Sequence, residues 1–575
     1  MEKTLLWAGV VSCIAYLLPN HYSPWLSFHQ EMAAAIAFAP LLAWGIVRSS
    51  HVPAITYGAI VLAVVPILQI AAGKLYFSTD GWMSCLYLLG FALSSHAGAQ
   101  CVQIVPPSPK KSDLPAVEVL WTALLVAALL SALIAFHQWL LPTHQGIFIV
   151  EMPPRSRPFG NLAQPNQLAT LILLGAAGLM YLWEARRLRA CYAILAIVLL
   201  LWALVMTGSR SVLLALLWLL PAYALMRKRC HLRTSPTAIL LILSFYLGMT
   251  WLWPVLDEWL LLGSGVNTAL ERMSTPGIRQ VIWVSLGDAI GRAPWFGYGW
   301  GQISVAQIAV ALNHPPTHLL LESSHNLLLD LALWNGLPVA ILVVIGLAFW
   351  FFHQVRSCDS PTSWATLLGV AVVFNHAMVE YPLSYAYFLL PVGFFMGFLS
   401  REKCMPLNAA CRSYLTPMTR GVLFGLGVFA AGLTSSAAIE YFPMEADWSL
   451  MRFQEARIGD LEKTEPPRAI LLIGLQQFLK FSRTEARSGM SEEELEWMRR
   501  VSERFAYAAP MFKYASALSL NDRPEDAAMT LKKLCFMQPK SVCESAKKHW
   551  EVLAKGKHPE LGKTNFPSTE FLIEQ

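Results

Sequence analysis

Residues 116–141 read AVEVLWTALLVAALLSALIAFHQWLL, and the only formal charge in the run is Glu118, near its start. A hydrocarbon core of about 30 Å needs roughly 20 apolar residues per helical span. This stretch is therefore expected to be one membrane crossing. Working outward from it, similar runs lie near 5–19, 31–47, 52–73 and 81–99 on one side. On the other they lie near 166–183, 190–207, 211–226, 237–256, 326–352, 363–379, 384–400 and 420–439. With the starting run that makes about 13 segments long enough to span. The fold class expected is an all-α polytopic membrane protein.

Composition agrees. The 575 residues are 55% hydrophobic and 14% charged, with a mean hydropathy of +0.48. Soluble domains carry nearer a quarter of charged residues. The net charge of +6 is modest, and nothing in its distribution favours nucleic acid. Met1 to Thr4 is short and leads straight into an apolar run ending near Pro19. Without a small-residue cleavage site, that run reads as the first span and not as a removed signal.

Alternate connections hold the positive charge. One set carries Lys3, Arg48, Lys110 and Lys111, Arg186 to Arg189, Arg227 to Arg233, Arg356, and the cluster from Arg401 to Arg420. Lys and Arg collect on the cytoplasmic side. The N-terminus is then expected inside and, after an odd number of spans, the C-terminus outside. Lys74 is the exception in the external set. Three external segments are long: Thr143 to Pro165, Asp257 to Ser324, and everything after Glu440. The second is too long for a passive turn.

The sequence divides accordingly into 1–154 (N-terminal spans), 155–400 (a core containing the external loop 257–324), 401–439 (a cytoplasmic loop and the last span) and 440–575. In the last block charged residues become frequent, and apolar residues recur at helical spacing in Glu492–Phe505 and Glu525–Phe536. It reads as an external domain of paired helices, loosely like a tetratricopeptide (TPR) array, although one or two helical pairs are thin grounds for a repeat. Only Cys535 and Cys543 fall in it; the other cysteines sit in spans or in cytoplasmic loops. An isolated pair in an oxidising compartment points to a disulfide across one helical hairpin, against the alternative of two buried thiols.

The unusual polar residues collect at the external edge, whereas a transporter would place them near the bilayer midplane. Thr207-Gly208-Ser209-Arg210-Ser211 is a tight turn between two spans. The planar fork of Arg210 suits a lipid-borne phosphate, although arginines at span ends also simply reach for headgroups. In the long loop, Gly277 and Ile278 precede Arg279, which opens an amphipathic helix with Ile282 and Trp283 one turn on. The run Trp295-Phe296-Gly297-Tyr298-Gly299-Trp300-Gly301 follows. It can turn sharply and expose N–H groups as an anion nest involving Gly297 and Gly299, or be a plain re-entrant turn.

Glu322-Ser323-Ser324-His325-Asn326 enters a long span. With Ser324 as N-cap, His325 falls in the first helical turn. The positive helix end disfavours a cation there, which suits a general base for a hydroxyl acceptor. The bland alternative is a hydrogen-bonded structural histidine. His314 and His318 are separated by Pro315 and Pro316, which break any helical face that would hold a metal. At another external edge, Asn375 to Pro382 contains Glu380 and Tyr381, placed to orient an acceptor or sugar, or to sit in the aromatic interface belt. Finally Arg157 to Gln167 includes Gln164 and Asn166, whose amides can bond sugar hydroxyls but also occur routinely at turns.

In this order, these segments resemble the bacterial O-antigen ligase and O-linked oligosaccharyltransferase superfamily. The marks are Gly160 to Gln167, Ser209-Arg210, the Arg279…Trp283…Gly297-Tyr298-Gly299 loop and Ser324-His325-Asn326. Glu380-Tyr381-Pro382 and the helical tail look like the protein-glycosylating PglL-type branch. The resemblance implies an undecaprenyl-pyrophosphate-linked glycan donor on the periplasmic face of the bacterial inner membrane. It implies a Ser or Thr hydroxyl of a pilin-like protein as acceptor. Arg210 and Arg279 would compensate the charge on the departing pyrophosphate, and His325 would deprotonate the acceptor for in-line attack with inversion. Gln164, Asn166, Gly297, Gly299, Asn326, Glu380 and Tyr381 would contact substrate. No Asp-x-Asp pair occurs in the external loops, so neither a divalent metal nor a cofactor is called for. The competing readings are an O-antigen ligase acting on lipid A-core, a glycan polymerase and, in a different class, a transporter of the lipid-linked glycan.

Overall fold

The computed structural model describes residues 2–101, 116–141, 146–153, 156–260, 279–402, 417–456, 458 and 464–567. Lys110, Lys111, Lys403, Cys404, Cys411, Arg412, Gly277 and Ile278 lie outside the described residues, as does 261–278 of the long external loop. Among the described residues the regular structure is helical. The helices are α1 (Glu2–Leu17), α2 (Phe28–Val47), α3 (Ala54–Ala71), α4 (Ser78–Cys101), α5 (Ala116–Leu140), α6 (Pro165–Glu184), α7 (Ala190–Met206), α8 (Arg210–Arg229) and α9 (Pro236–Trp259). Then come α10 (Arg279–Arg292), α11 (Ile303–Val310), α12 (Leu327–Asn335), α13 (Leu337–Ser357), α14 (Pro361–Ala377), α15 (Ala386–Glu402) and α16 (Pro417–Glu455). The tail holds α17 (Ile473–Arg483), α18 (Glu492–Arg504), α19 (Ala508–Leu520), α20 (Pro524–Met537) and α21 (Lys540–Lys555).

Eight of these helices, α2, α3, α5, α6, α8, α9, α13 and α16, are long and apolar enough to cross a membrane. Lys3–Leu17, Ala190–Met206 and Ala386–Ser400 are shorter apolar helices. This is a polytopic membrane protein. One expected span is divided: the run 326–352 breaks at Gly336 (φ 80°) into α12 and α13. Gly336 is obligatory there, because a Cβ would sit 2.4 Å from the Trp295 carbonyl carbon and the backbone already occupies the left-handed region.

The chain forms two compact units. The first comprises Met1–Leu62, Leu86–Pro276 and Gly346–Thr434. Its core centres on Trp121, fully buried on α5 and stacked on Phe395 of α15 at 4.3 Å. Lipid is as apolar as leucine, so burial alone gives such helices little reason to associate; close backbone packing through small residues does. A Cβ on Gly397 would fall 1.7 Å from the Ser95 carbonyl oxygen, and one on Gly98 would fall 2.0 Å from that of Phe394. Glycine at both places lets α4 and α15 touch along their backbones.

The second unit comprises Ala63–Cys85, Gly277–Ile345 and Ser435–Gln575. The composition change at Glu440 falls inside a helix, since α16 runs unbroken for 39 residues. Glu440 then accepts hydrogen bonds from the N–H groups of Ile470, Leu471 and Leu472. The tail helices bury Leu479, Met498, Val501, Leu518 and Leu531 in one cluster, each contributing about 1.5–3 kcal/mol of apolar burial. Ser491 and Glu494 make a reciprocal capping box at the start of α18, which satisfies two helix-end donors. Cys535 on α20 and Cys543 on α21 are joined as a disulfide with Cα atoms 4.9 Å apart.

Candidate functional site

In the first unit, the starts of α6 and α8 and the end of α14 meet through polar side chains. Asn166 donates to Glu380 Oε1 at 2.8 Å, and its own Oδ1 accepts from Ser209 at 2.9 Å. Asn375 donates to the Ser211 carbonyl at 3.0 Å and accepts from Trp218 Nε1 at 3.0 Å. Gly208 adopts φ 52° and so closes the turn that presents Arg210 as the first residue of α8. Arg157 grips that turn from outside, donating to the Thr207 carbonyl at 2.8 Å. Gln164, half-buried, is the residue before α6 and makes no capping bond with its side chain. Glu380 is buried and Tyr381 stacks on Tyr385 with ring centres 5.9 Å apart. Arg210, Asn166, Glu380 and Tyr381 therefore come from one polar junction. The oxygen and one N–H of Asn166 tie Ser209 to Glu380, just before Arg210.

The sequence reading passed over Glu31, a carboxylate buried near the start of α2. It accepts from the Ser27 and Tyr87 hydroxyls, from Trp25 Nε1 at 3.1 Å and from the Ala386 N–H at 3.4 Å. Next along, the Tyr387 hydroxyl donates to Gln167 Oε1 at 2.8 Å. The first spans thus brace the segment just after Glu380-Tyr381. A lone acid in an apolar run was the available signal, since such residues rarely enter membranes without partners.

In the second unit, α10 is described from Arg279 onward. Ile282 packs into a core with Leu286, Ala306, Val310, Leu321 and Leu333, while Trp283 donates to the Ser324 carbonyl at 2.9 Å. Residues four apart share a helix face, so Arg279 lies one turn before the residue that holds the histidine segment. Arg279 and His325 therefore belong to neighbouring elements.

The start of α12 differs from expectation. Asn326 and not Ser324 is the N-cap, its Oδ1 accepting from Leu328 N–H at 3.0 Å and Leu329 N–H at 3.3 Å. The reason is Asp330, buried one turn into the helix. It accepts from the Ser323 hydroxyl and from the Ser324 N–H, both at 2.7 Å, and so turns the chain before the helix begins. His325 consequently precedes the cap and takes φ 56°. Asn326 caps the helix. A non-glycine residue held in the left-handed region costs about 1–3 kcal/mol, and such residues cluster at functional sites.

Gly297 and Gly299 have φ values of 61° and 100°, which fit a tight run. Gly297 N–H donates to Ala293, Tyr298 N–H to Leu333 and Trp300 N–H to Gln69 Oε1. The run is a packing joint: a Cβ on Gly297 would meet the Leu333 carbonyl oxygen at 2.4 Å. Gly297→Ala should therefore destabilise the protein by more than about 1 kcal/mol, seen as a lower thermal midpoint in detergent. An unchanged midpoint would show the joint to be looser than these distances say. His314 pairs with Asp288 at 3.1 Å, and with Arg292 it holds that carboxyl below its usual range. No group of three metal-ligating side chains occurs among the described residues.

The first unit thus places Arg210 at a helix start, and the second holds a strained histidine next to α10, in a polytopic membrane protein. The comparisons give its class. The family described as O-antigen ligase matches residues 195–344, protein glycosylation ligase matches 158–183, and the C-terminal region of virulence factor membrane-bound polymerase matches 364–552. The general O-oligosaccharyltransferase of Acinetobacter baylyi is 30% identical over 541 residues, covering 91% of this chain and 90% of that protein. The ComP-specific O-oligosaccharyltransferase of the same organism is 28% identical over 398 residues, covering 68% and 69%. The chain belongs to the O-oligosaccharyltransferase family, in its PglL-type branch, and is a glycosyltransferase.

Proposed function

We propose that this enzyme transfers a preassembled glycan from undecaprenyl pyrophosphate to Ser or Thr hydroxyls of periplasmic proteins such as pilins. In this reading thirteen helices span the bacterial inner membrane with the N-terminus inside, and the TPR-like tail lies in the periplasm with the reacting groups. His325 takes the acceptor hydroxyl proton as the oxygen attacks the anomeric carbon from the face opposite the phosphate. The C–O bond to pyrophosphate breaks, the leaving group keeps the electron pair, and the anomeric centre inverts. Arg210 and Arg279 compensate the charge that develops, a role fixed cations fill without rearrangement. No metal takes part.

The observation that carries the reading is His325, held at φ 56° beside the α10 face that begins with Arg279. The names of the two relatives support a protein acceptor. The test is co-expression with a candidate pilin and a lipid-linked glycan, followed by intact mass of the pilin. An increase of one glycan mass is expected. Glycan appearing only on lipid A-core would make the enzyme an O-antigen ligase, the reading favoured by the match over residues 195–344.

A further inference from the structure

The segment before His325 is attached to the tail at two points. His318 is itself in the left-handed region, at φ 50°. Its N–H donates to the Phe536 carbonyl at 2.9 Å, and its Nδ1 lies 3.2 Å from the Gln538 carbonyl oxygen. Four residues on, Glu322 accepts from the Tyr507 hydroxyl at 2.8 Å. Burial, and then the Glu322 carboxylate, push the Tyr507 hydroxyl above its ordinary range, so it stays a donor. Between the two points Leu320 packs on a cluster made of Ile308, Leu534, Met537, Cys535 and Cys543.

Phe536 and Gln538, which hold His318, lie within the short loop that the Cys535–Cys543 disulfide closes. Gln538 is fixed in turn by donating to the Ala506 carbonyl at 2.8 Å, the residue before Tyr507. Arg504 continues the attachment: its carbonyl accepts from Ser304 at the start of α11, and its guanidinium grips both Asp80 oxygens at 2.6 and 2.7 Å. The strained histidine thus sits at the end of a segment clamped from below by Asp330 and Trp283, and from the tail by α20 and the start of α19.

We propose that the disulfide-closed hairpin of the tail is a positioning element for the transfer reaction, seating the His325 segment through His318 and Glu322. The proposal rests on the reading of His325 as the acceptor-side base. It departs from the view of the tail as a module whose task is to hold acceptor polypeptide. A misplacement of about 1 Å far from the reacting atoms can cost up to 100-fold in rate, so clamps of this kind bear on turnover and not only on stability.

The test uses the full-length enzyme in detergent, with hydrogen exchange over residues 317–326 and steady-state kinetics measured together. In Cys535→Ala/Cys543→Ala, exchange in that segment should rise and kcat fall about tenfold, while acceptor KM and donor binding hold. Tyr507→Phe, which leaves the hairpin closed, should show the same pattern more weakly. Glu322→Gln keeps an oxygen for the Tyr507 hydroxyl and should retain both protection and rate. Unchanged exchange, or a loss confined to acceptor KM, would overturn the proposal and return the tail to acceptor binding. Because exchange reports the clamp without any chemistry, a normal rate in His325→Ala would remove the base reading and leave this result standing on its own.

Discussion

Replacing Arg210 with alanine should lower glycan transfer roughly 100- to 1,000-fold under the proposed role, the usual cost of removing one fixed group that stabilises transition-state charge. The protein should still insert and accumulate, because the first unit's apolar core lies elsewhere. The core is built on Trp121, Phe395 and the glycine contacts of α4 with α15. Arg210 instead stands at the first position of α8, directly after a turn held by Arg157 and by the Ser209–Asn166–Glu380 chain. Three elements fix where that residue starts, which is more than a headgroup-seeking arginine requires. Lysine at this position should restore only part of the rate, since a point charge cannot reproduce a paired grip on phosphate oxygens. Initial rates and donor binding on purified wild type, Arg210→Ala and Arg210→Lys decide it. Full activity in the alanine variant would return Arg210 to the role of a span-end anchor.

Much of this was legible in the sequence, and what was not has identifiable physical causes. Apolar run length carried the polytopic class and eight helices long enough to cross, because lipid imposes a minimum length on a span. The break at Gly336 was legible too but went unread: Asn335-Gly336-Leu337-Pro338 is a turn signal inside an apolar run. The start of α12 was harder. Three candidate caps, Ser323, Ser324 and Asn326, lie in four residues, and the choice among them is made by Asp330, which takes the two serines. The glycine run after Trp295 was legible as a turn, but the partners of its backbone donors were not. Here Gln69, 231 positions away, takes one of them. The junction of Asn166 with Ser209 and Glu380 was legible only as residue types, since its bonds span 43 and 214 positions. The tail's helices followed from periodicity, whereas Tyr507 reaching Glu322, 185 positions away, could come only from the fold.

His325→Ala should reduce transfer about 100- to 10,000-fold, the range that general-base catalysis supplies, while lipid-linked donor binds nearly as before. The split is expected because the role assigned to His325 is toward the acceptor hydroxyl and not the pyrophosphate. Alanine alone leaves a second explanation open, since it is poorly suited to the φ of 56° that this position adopts. Asn is the control. It tolerates the left-handed region, where it is enriched several-fold, so His325→Asn keeps the backbone while removing the imidazole. Equal losses in both variants therefore report the ring, and a loss in alanine that asparagine largely repairs reports the turn. The turn has its own supports: Ser323 and Ser324 hold it through Asp330, and Asn326 holds it through the start of α12. Donor binding and single-turnover transfer on the three purified enzymes are the measurements. A His325→Ala enzyme that no longer binds donor would make His325 a phosphate ligand. One that transfers at the wild-type rate would end the general-base assignment and leave the chemistry to the arginines and to positioning.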